Sequence, residues 1–193
     1  MARNIVGLAG SINRPSRTTV LVEAAVERAA ERFGRNPVVI ELAAIAGSLG
    51  SATRISELDP TATAAIELLV EADALVVASP VHKGGYGGLF KHLFDLLDPF
   101  ALTGKPVLLG ATGGGTRHAL VIEHQLRPLL GFFEAQTLAT GVYATDADFQ
   151  EGRIVSAALH DRLDRAVGQF SPFLTPLHSG LAERNRALAA VAL

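Results

Sequence analysis

The stretch Asn4-Ile5-Val6-Gly7-Leu8-Ala9-Gly10-Ser11-Ile12-Asn13-Arg14-Pro15-Ser16-Arg17-Thr18 decides the fold class. Its first six residues form a short aliphatic run, which reads as a buried strand. After Thr18 the pattern changes period: Leu21, Ala24, Ala25 and Ala29 share one helical face, Glu23, Glu27, Arg28, Glu31 and Arg32 fall elsewhere, and Gly34 stops the helix. Between strand and helix lies a loop with three hydroxyls (Ser11, Ser16, Thr18), two guanidinium groups (Arg14, Arg17) and the unpaired amides of a helix start. Those are the parts of a phosphate nest. The plainer alternative is an N-cap turn in which Ser16 or Thr18 satisfies the helix end. No Gly-Lys-Ser/Thr follows, as a Walker A loop requires, and no Gly-x-Gly-x-x-Gly, as a dinucleotide fingerprint requires. The expectation is a single terminal phosphate rather than a pyrophosphate.

The rest of the chain repeats the alternation. Strands are read at Asn4–Ala9, Pro37–Leu42, Ala74–Ser79, Pro106–Ala111 and Gln136–Tyr143. The third and fourth are continuously apolar, as expected of central strands covered on both faces. A second helix begins at Asp59-Pro60, an N-cap followed by a first-turn proline, and runs to about Glu71. A third begins around Gly88, with Leu89, Leu93 and Leu96 spaced for burial. A fourth spans Arg117 to Phe132 with Pro128 distorting it, and a fifth spans Ser156 to Phe173. Five strands in 193 residues fit an open doubly wound α/β sheet and are too few for a barrel. Ligands then bind beyond the carboxyl ends of the strands. One domain over residues 1–175 is expected, with a tail at 176–193 that is a short helix or disordered.

Composition narrows the chemistry. The chain has no cysteine, which excludes disulfides, thiol catalysis and thiolate metal sites, so redox work would need an organic cofactor. A net charge of −2 gives no electrostatic reason to expect nucleic acid or an anionic membrane as partner. Apolar residues make up 49% and mean hydropathy is +0.31, values that point to surface buried against other copies of the chain. No apolar run is long enough to span a bilayer, the N-terminal run reads as a strand rather than a signal core, and a cytoplasmic location is expected. His118 and His124 are six apart, the wrong spacing for two ligands on one helical face, so no metal is expected. Asp95, Asp98, Asp146 and Asp148 read as caps and turn residues. Without Gly-x-Ser-x-Gly there is no hydrolase elbow.

Two more loops leave the carboxyl ends of strands: Ser79-Pro80-Val81-His82-Lys83-Gly84-Gly85-Tyr86-Gly87-Gly88 and Thr112-Gly113-Gly114-Gly115-Thr116. Glycine and proline there let backbone amides approach a flat ligand. One monophosphate loop and two loops able to frame an isoalloxazine ring point to FMN. In Leu8-Ala9-Gly10-Ser11 with Arg14, Ser16 and Thr18, then Ala78-Ser79-Pro80-Val81-x-Lys83-x-x-Tyr86-x-Gly88, then Ala111-Thr112-Gly113-Gly114, the chain resembles the NAD(P)H-dependent FMN reductases that serve alkanesulfonate and methanesulfonate monooxygenases. The resemblance runs to about Phe173.

That resemblance implies a flavodoxin-like three-layer sandwich with a parallel sheet ordered 2-1-3-4-5. It implies FMN phosphate on Ser11, Arg14, Ser16 and Thr18, with the ring along Pro80, Val81, His82, Lys83, Gly84 and Tyr86 and its other edge closed by Thr112, Gly113, Gly114 and Gly115. It also implies hydride transfer from NADPH or NADH to flavin N5 with no obligatory acid or base, and delivery of FMNH2 to a separate monooxygenase. Lys83 is a candidate modulator of charge near flavin N1. Relatives often carry Tyr where His82 stands; His82 either contacts the flavin, with pH-sensitive binding, or faces solvent. His118 to Pro128 resembles a π-bulged helix at a tetramer interface, which places His124 on a π-helix and makes it a modulator of flavin retention, or else simply an interface residue. Arg17, Arg117 and Arg127 are candidates to meet an NADPH 2′-phosphate. Two other readings stay open from sequence: a reductase that keeps FMN and passes electrons to a quinone or azo acceptor, and a non-enzymatic electron-transfer flavoprotein.

Overall fold

Strand β1 (Asn4–Ala9) leads into helix α1 (Arg17–Phe33), followed by β2 (Asn36–Glu41), α2 (Leu42–Leu49), α3 (Pro60–Glu71), β3 (Ala74–Pro80), α4 (Gly88–Asp95) and β4 (Pro106–Gly113). A 3-10 turn (Thr116–His118), a π-helical turn (Ile122–Leu126) and α5 (Arg127–Phe132) come next. They lead to β5 (Gln136–Thr137), β6 (Val142–Thr145), a hairpin of β7 (Phe149–Gln150) and β8 (Arg153–Ile154), and α6 (Ala157–Gly168). The structure is a computed structural model and describes residues 3–174. The tail expectation for 176–193 lies outside them.

The main sheet is parallel in the order β2-β1-β3-β4-β5, with β6 also paired to β4. Strand side chains alternate between two cores. Val6, Leu8, Leu75, Val77, Val107 and Leu109 meet α2, α3, α4 and the π turn on one face. Ile5, Ala9, Val76, Ala78 and Leu108 meet α1 and α6 on the other, where Phe33 and Phe170 pack edge to face at 6.4 Å. Three layers result. Close packing of α1 on β1 requires Gly7, because a methyl there would lie 2.3 Å from Val22 Cγ1. β1 connects to β2 on one side while β3 lies on the other, so the chain's switch point opens beyond the carboxyl ends of β1 and β3. Among the described residues no helix is long and apolar enough to cross a membrane.

Several caps agree with their sequence signals. Gly34 ends α1 at φ 60°, and Asp59 Oδ1 accepts from the Ala62 amide at 2.8 Å to start α3. Four details differ. α2 follows β2 without a break and carries no sequence signal, since Glu41 precedes it without a side-chain cap. The strand read as Gln136–Tyr143 is two pieces, β5 and β6, with Leu138–Gly141 out of register. The Leu138 amide still donates to the Val107 carbonyl at 2.9 Å, and side chains take up other backbone groups of the segment. Arg127 donates to the Leu138 carbonyl at 2.9 Å, Gln169 accepts from the Thr140 amide at 2.9 Å, and Arg162 donates to the Gly141 carbonyl at 2.7 Å.

The helix read as 117–132 is a 3-10 turn, a π turn and α5 in succession. Pro128 sits where the π turn passes straight into α5, and having no amide it donates nothing to the turn before it, which is the distortion expected of it. The fifth helix stops at Gly168 rather than Phe173, because consecutive turns fold Phe170 back into the core.

Candidate functional site

The ends of β1, β3, β4 and β6 surround an open cleft of about 570 Å³. α1 begins in its wall. Ser16 is the N-cap, its Oγ accepting from the Thr19 amide at 3.1 Å while its carbonyl accepts from Val20. The amides of Arg17 and Thr18, first in the helix, have no acceptor among the described residues. Both residues line the cleft, and the helix dipole adds positive potential there. The hydroxyls are already engaged within the protein. Ser11 Oγ donates to the Asn13 carbonyl and accepts from its amide, both at 3.2 Å. Thr18, 2% exposed, shares a 2.7 Å hydroxyl–hydroxyl bond with Thr112, tying the first loop to the third.

The second loop leaves β3 at Pro80. The Val81 amide donates to the Thr112 carbonyl at 2.8 Å, and His82 and Gly85 then exchange backbone hydrogen bonds at 2.8 and 3.1 Å. Lys83 (φ 51°) and Gly84 (φ 89°) sit between them, the left-handed pair of a type I′ hairpin turn. The third loop is held by Tyr143, whose Oη donates to the Gly115 carbonyl at 2.7 Å. Burial, with Asp146 adding to it, pushes the Tyr143 phenol above its usual value, so it remains a neutral donor. A methyl at Gly113 would lie 2.3 Å from Tyr143 Oη, so a side chain there would push aside the phenol that holds the third loop. Gly114 and Gly115 differ: neither backbone is left-handed, and a methyl at either position meets nothing within 4 Å. The protein itself has no use for glycine there.

A family model described as NADPH-dependent FMN reductase matches residues 3–150. The chain belongs to the NADPH-dependent FMN reductase family. Relatives of this FMN reductase include the NADH-dependent FMN reductase SfnF of Pseudomonas fluorescens, 49% identical over 90% of this chain and 95% of the relative. Another is the FMN reductase (NADPH) of Pseudomonas aeruginosa, 47% identical over 87% and 90%. Among solved structures, an NADH:FMN oxidoreductase in apo form superposes with TM-score 0.79 at 28% identity, covering 90% of this chain and 91% of that one. An oxidoreductase of Corynebacterium diphtheriae superposes with TM-score 0.76 at 33% identity, covering 90% and 97%. The chain is accordingly an NAD(P)H:FMN oxidoreductase.

In this FMN reductase the residues singled out from sequence divide between two adjoining clefts. Ser11, Ser16, Thr18, Pro80, Val81 and Thr112 line the larger, together with Gly113 and Gly114. His82, Lys83 and Tyr86 line a second cleft of about 420 Å³, with Gly10, Ile12 and Asn13. Arg14 lines neither: its Nε pairs with Glu41 at 2.9 Å, and the guanidinium that lines the larger cleft is that of Arg17. Gly84 and Gly115 also lie outside the two linings.

His124 is exposed within the π turn Ile122–Leu126, where the resemblance to π-bulged relatives placed it. That turn reaches the second loop, with Gln125 Oε1 3.7 Å from where a Cβ of Gly85 would be. Arg127 is taken up by Glu123, Thr137 and the Leu138 carbonyl. Sequence reading passed over Tyr143 and the far wall of the cleft, formed by Asp146, Phe149, Glu151 and Gly152. An aromatic residue near the end of the fifth strand was the one available signal for Tyr143. Unpaired amides at a helix start and a glycine-floored vacancy fit a flavin monophosphate: a phosphate for the first and a flat ring edge for the second.

Proposed function

We propose that the larger cleft holds FMN with its phosphate at the start of α1 and that the protein reduces it with NADH or NADPH. Among the cleft's features, the amides of Arg17 and Thr18, which have no acceptor of their own, carry this reading. Ser11, Ser16 and Thr18 shape the phosphate loop. Pro80, Val81 and the His82–Tyr86 hairpin lie along the ring, with Thr112, Gly113, Gly114 and Gly115 at its other edge. Bound FMN supplies the hydride acceptor, so the protein needs no general acid or base. What the chain contributes is placement: three loops cross-tied by the Thr18–Thr112 bond and the Val81–Thr112 bond hold a fixed frame. Lys83, beside that frame, modulates charge on the ring, and His124 modulates how long the flavin stays.

In this proposal the reduced flavin is released to a separate FMNH2-dependent monooxygenase in sulfonate metabolism. The support is the motif resemblance to the sulfonate-linked reductases and the likeness to SfnF. Relatives of nearly equal identity carry NADH in one name and NADPH in another, so both nucleotides are proposed as donors. A cytoplasmic homodimer or homotetramer, built on a single domain of residues 1–175, completes the proposal. Steady-state assays of FMN, FAD and riboflavin with each nucleotide test it. NAD(P)H oxidation dependent on added FMN is expected; its absence would overturn the reading, and flavin that stays bound through gel filtration would overturn release.

A further inference from the structure

Both guanidinium groups that the first loop offers are already held by carboxylates of this chain. Arg14 meets Glu41 outside the cleft. Arg17 Nη1 meets Asp146 Oδ1 at 2.9 Å, and these two residues stand on opposite walls of the cleft, one at the start of α1 and the other beyond β6. Asp146 is not a loosely placed surface acid. It opens the 3-10 turn Asp146–Asp148, whose capping box has Asp148 accepting from the Thr145 amide at 2.7 Å and from the Thr145 hydroxyl at 2.8 Å. Thr145 in turn is registered against Gly113 of β4, so the carboxylate is carried by the same strand ends that carry the third loop. Glu151 adds a second acid to the far wall.

We infer that Asp146 sets the affinity of the cleft for phosphorylated flavin by competing with the phosphate for Arg17. The inference rests on the proposal that this cleft takes the flavin phosphate. A phosphate reaches the Arg17 guanidinium only by displacing the carboxylate. The ion pair is half-exposed on both sides, so it contributes little to folding and is easily given up. A site built this way grips riboflavin and FMN less differently than its helix start and arginine alone would, and it lets FMN exchange. That property suits a protein whose product leaves as free reduced flavin.

Dissociation constants of FMN and riboflavin, from flavin fluorescence quenching, are to be measured for the wild type, Asp146→Asn, Arg17→Gln and the double variant. Asp146→Asn is expected to tighten FMN by about fivefold, the upper range for one exposed ion pair, and to leave riboflavin unchanged. Arg17→Gln is expected to weaken FMN by about tenfold, and adding Asp146→Asn to it should change FMN binding less than about twofold. Thermal melts in parallel confirm that the half-exposed substitutions leave the fold intact. Failure of Asp146→Asn to tighten FMN, equal tightening of riboflavin, or full tightening without Arg17 would overturn the competition while leaving the site itself standing. An FMN affinity indifferent to Arg17→Gln would overturn the phosphate site and the competition together.

Discussion

Gly114 separates what the fold requires from what a ligand requires. At Gly10 a methyl would lie 2.4 Å from Phe90 Cδ2 and 2.8 Å from the Ala78 carbonyl oxygen, so that position serves the protein. At Gly114 a methyl meets nothing within 4 Å, and the backbone is not left-handed. Gly10→Ala should therefore destabilise by about 1–3 kcal/mol through overpacking. Gly114→Ala should leave stability unchanged or raise it by about 0.4–1 kcal/mol, because alanine restricts the unfolded chain. Flavin binding should behave oppositely at Gly114. If the ring edge occupies that space, a leucine there forces overpacking of about 1–3 kcal/mol, or roughly 5- to 150-fold weaker FMN, with alanine in between. Urea denaturation reads the first quantity and flavin fluorescence titration the second. A Gly114→Leu variant that folds and binds FMN as the wild type does would refute the reasoning, since the vacancy would then belong to no ligand.

Thr18→Val leaves the Thr112 hydroxyl buried without its partner and should lower stability by about 1–3 kcal/mol; the Thr18→Val/Thr112→Val pair should lose less than the sum of the singles, as read by a denaturation cycle. Arg127, hydrogen-bonded to Glu123, holds that carboxyl below its usual 4.5, so the stability it contributes is complete above pH 4.5 and is lost as pH falls through the lower folded value. Urea midpoints of wild type and Glu123→Gln should accordingly differ at pH 7 and converge as the pH is lowered below 4.5; a constant gap would show that the shift does not support the fold. Deleting His124 removes one residue from the π turn, rotates the residues N-terminal and C-terminal to it by about 100° relative to each other and takes Gln125 from the second loop, so FMN retention through gel filtration should change. Unchanged retention, kinetics and assembly would remove the role given to His124.

Legibility in sequence depended on where the information resides. β1, β3 and β4 could be read because strands covered on both faces are aliphatic throughout, and α1 and α3 because Gly34 and Asp59 are strong local stop and start signals. α2 could not, since it begins at Leu42 with neither a capping side chain nor a turn residue between it and β2. The break between β5 and β6 was invisible for a different reason. Its orphaned amides and carbonyls are satisfied by Arg127, Arg162 and Gln169, on other elements. Periodicity over a short window carries nothing about such partners. The choice between Arg14 and Arg17 was likewise out of reach, being decided by Glu41 and Asp146, which are remote in the chain.

The first loop shows how residues singled out from sequence can take a different physical role in the folded chain. Ser11, Ser16 and Thr18 read as phosphate ligands because hydroxyls are good donors, yet in the folded protein Ser11 closes a turn, Ser16 caps α1 and Thr18 is bonded to Thr112. Their work is to hold the loop so that the amides of Arg17 and Thr18 stay open toward the cleft. Backbone donors fixed in this way need little reorganisation when an anion arrives. The guanidinium on that wall, that of Arg17, is already paired with a carboxylate on the other. In the proposed phosphate site, recognition by geometry, with charge largely balanced beforehand, favours the shape of a monophosphate without demanding high affinity. Those are the two properties that the proposed delivery of reduced FMN to a separate monooxygenase requires.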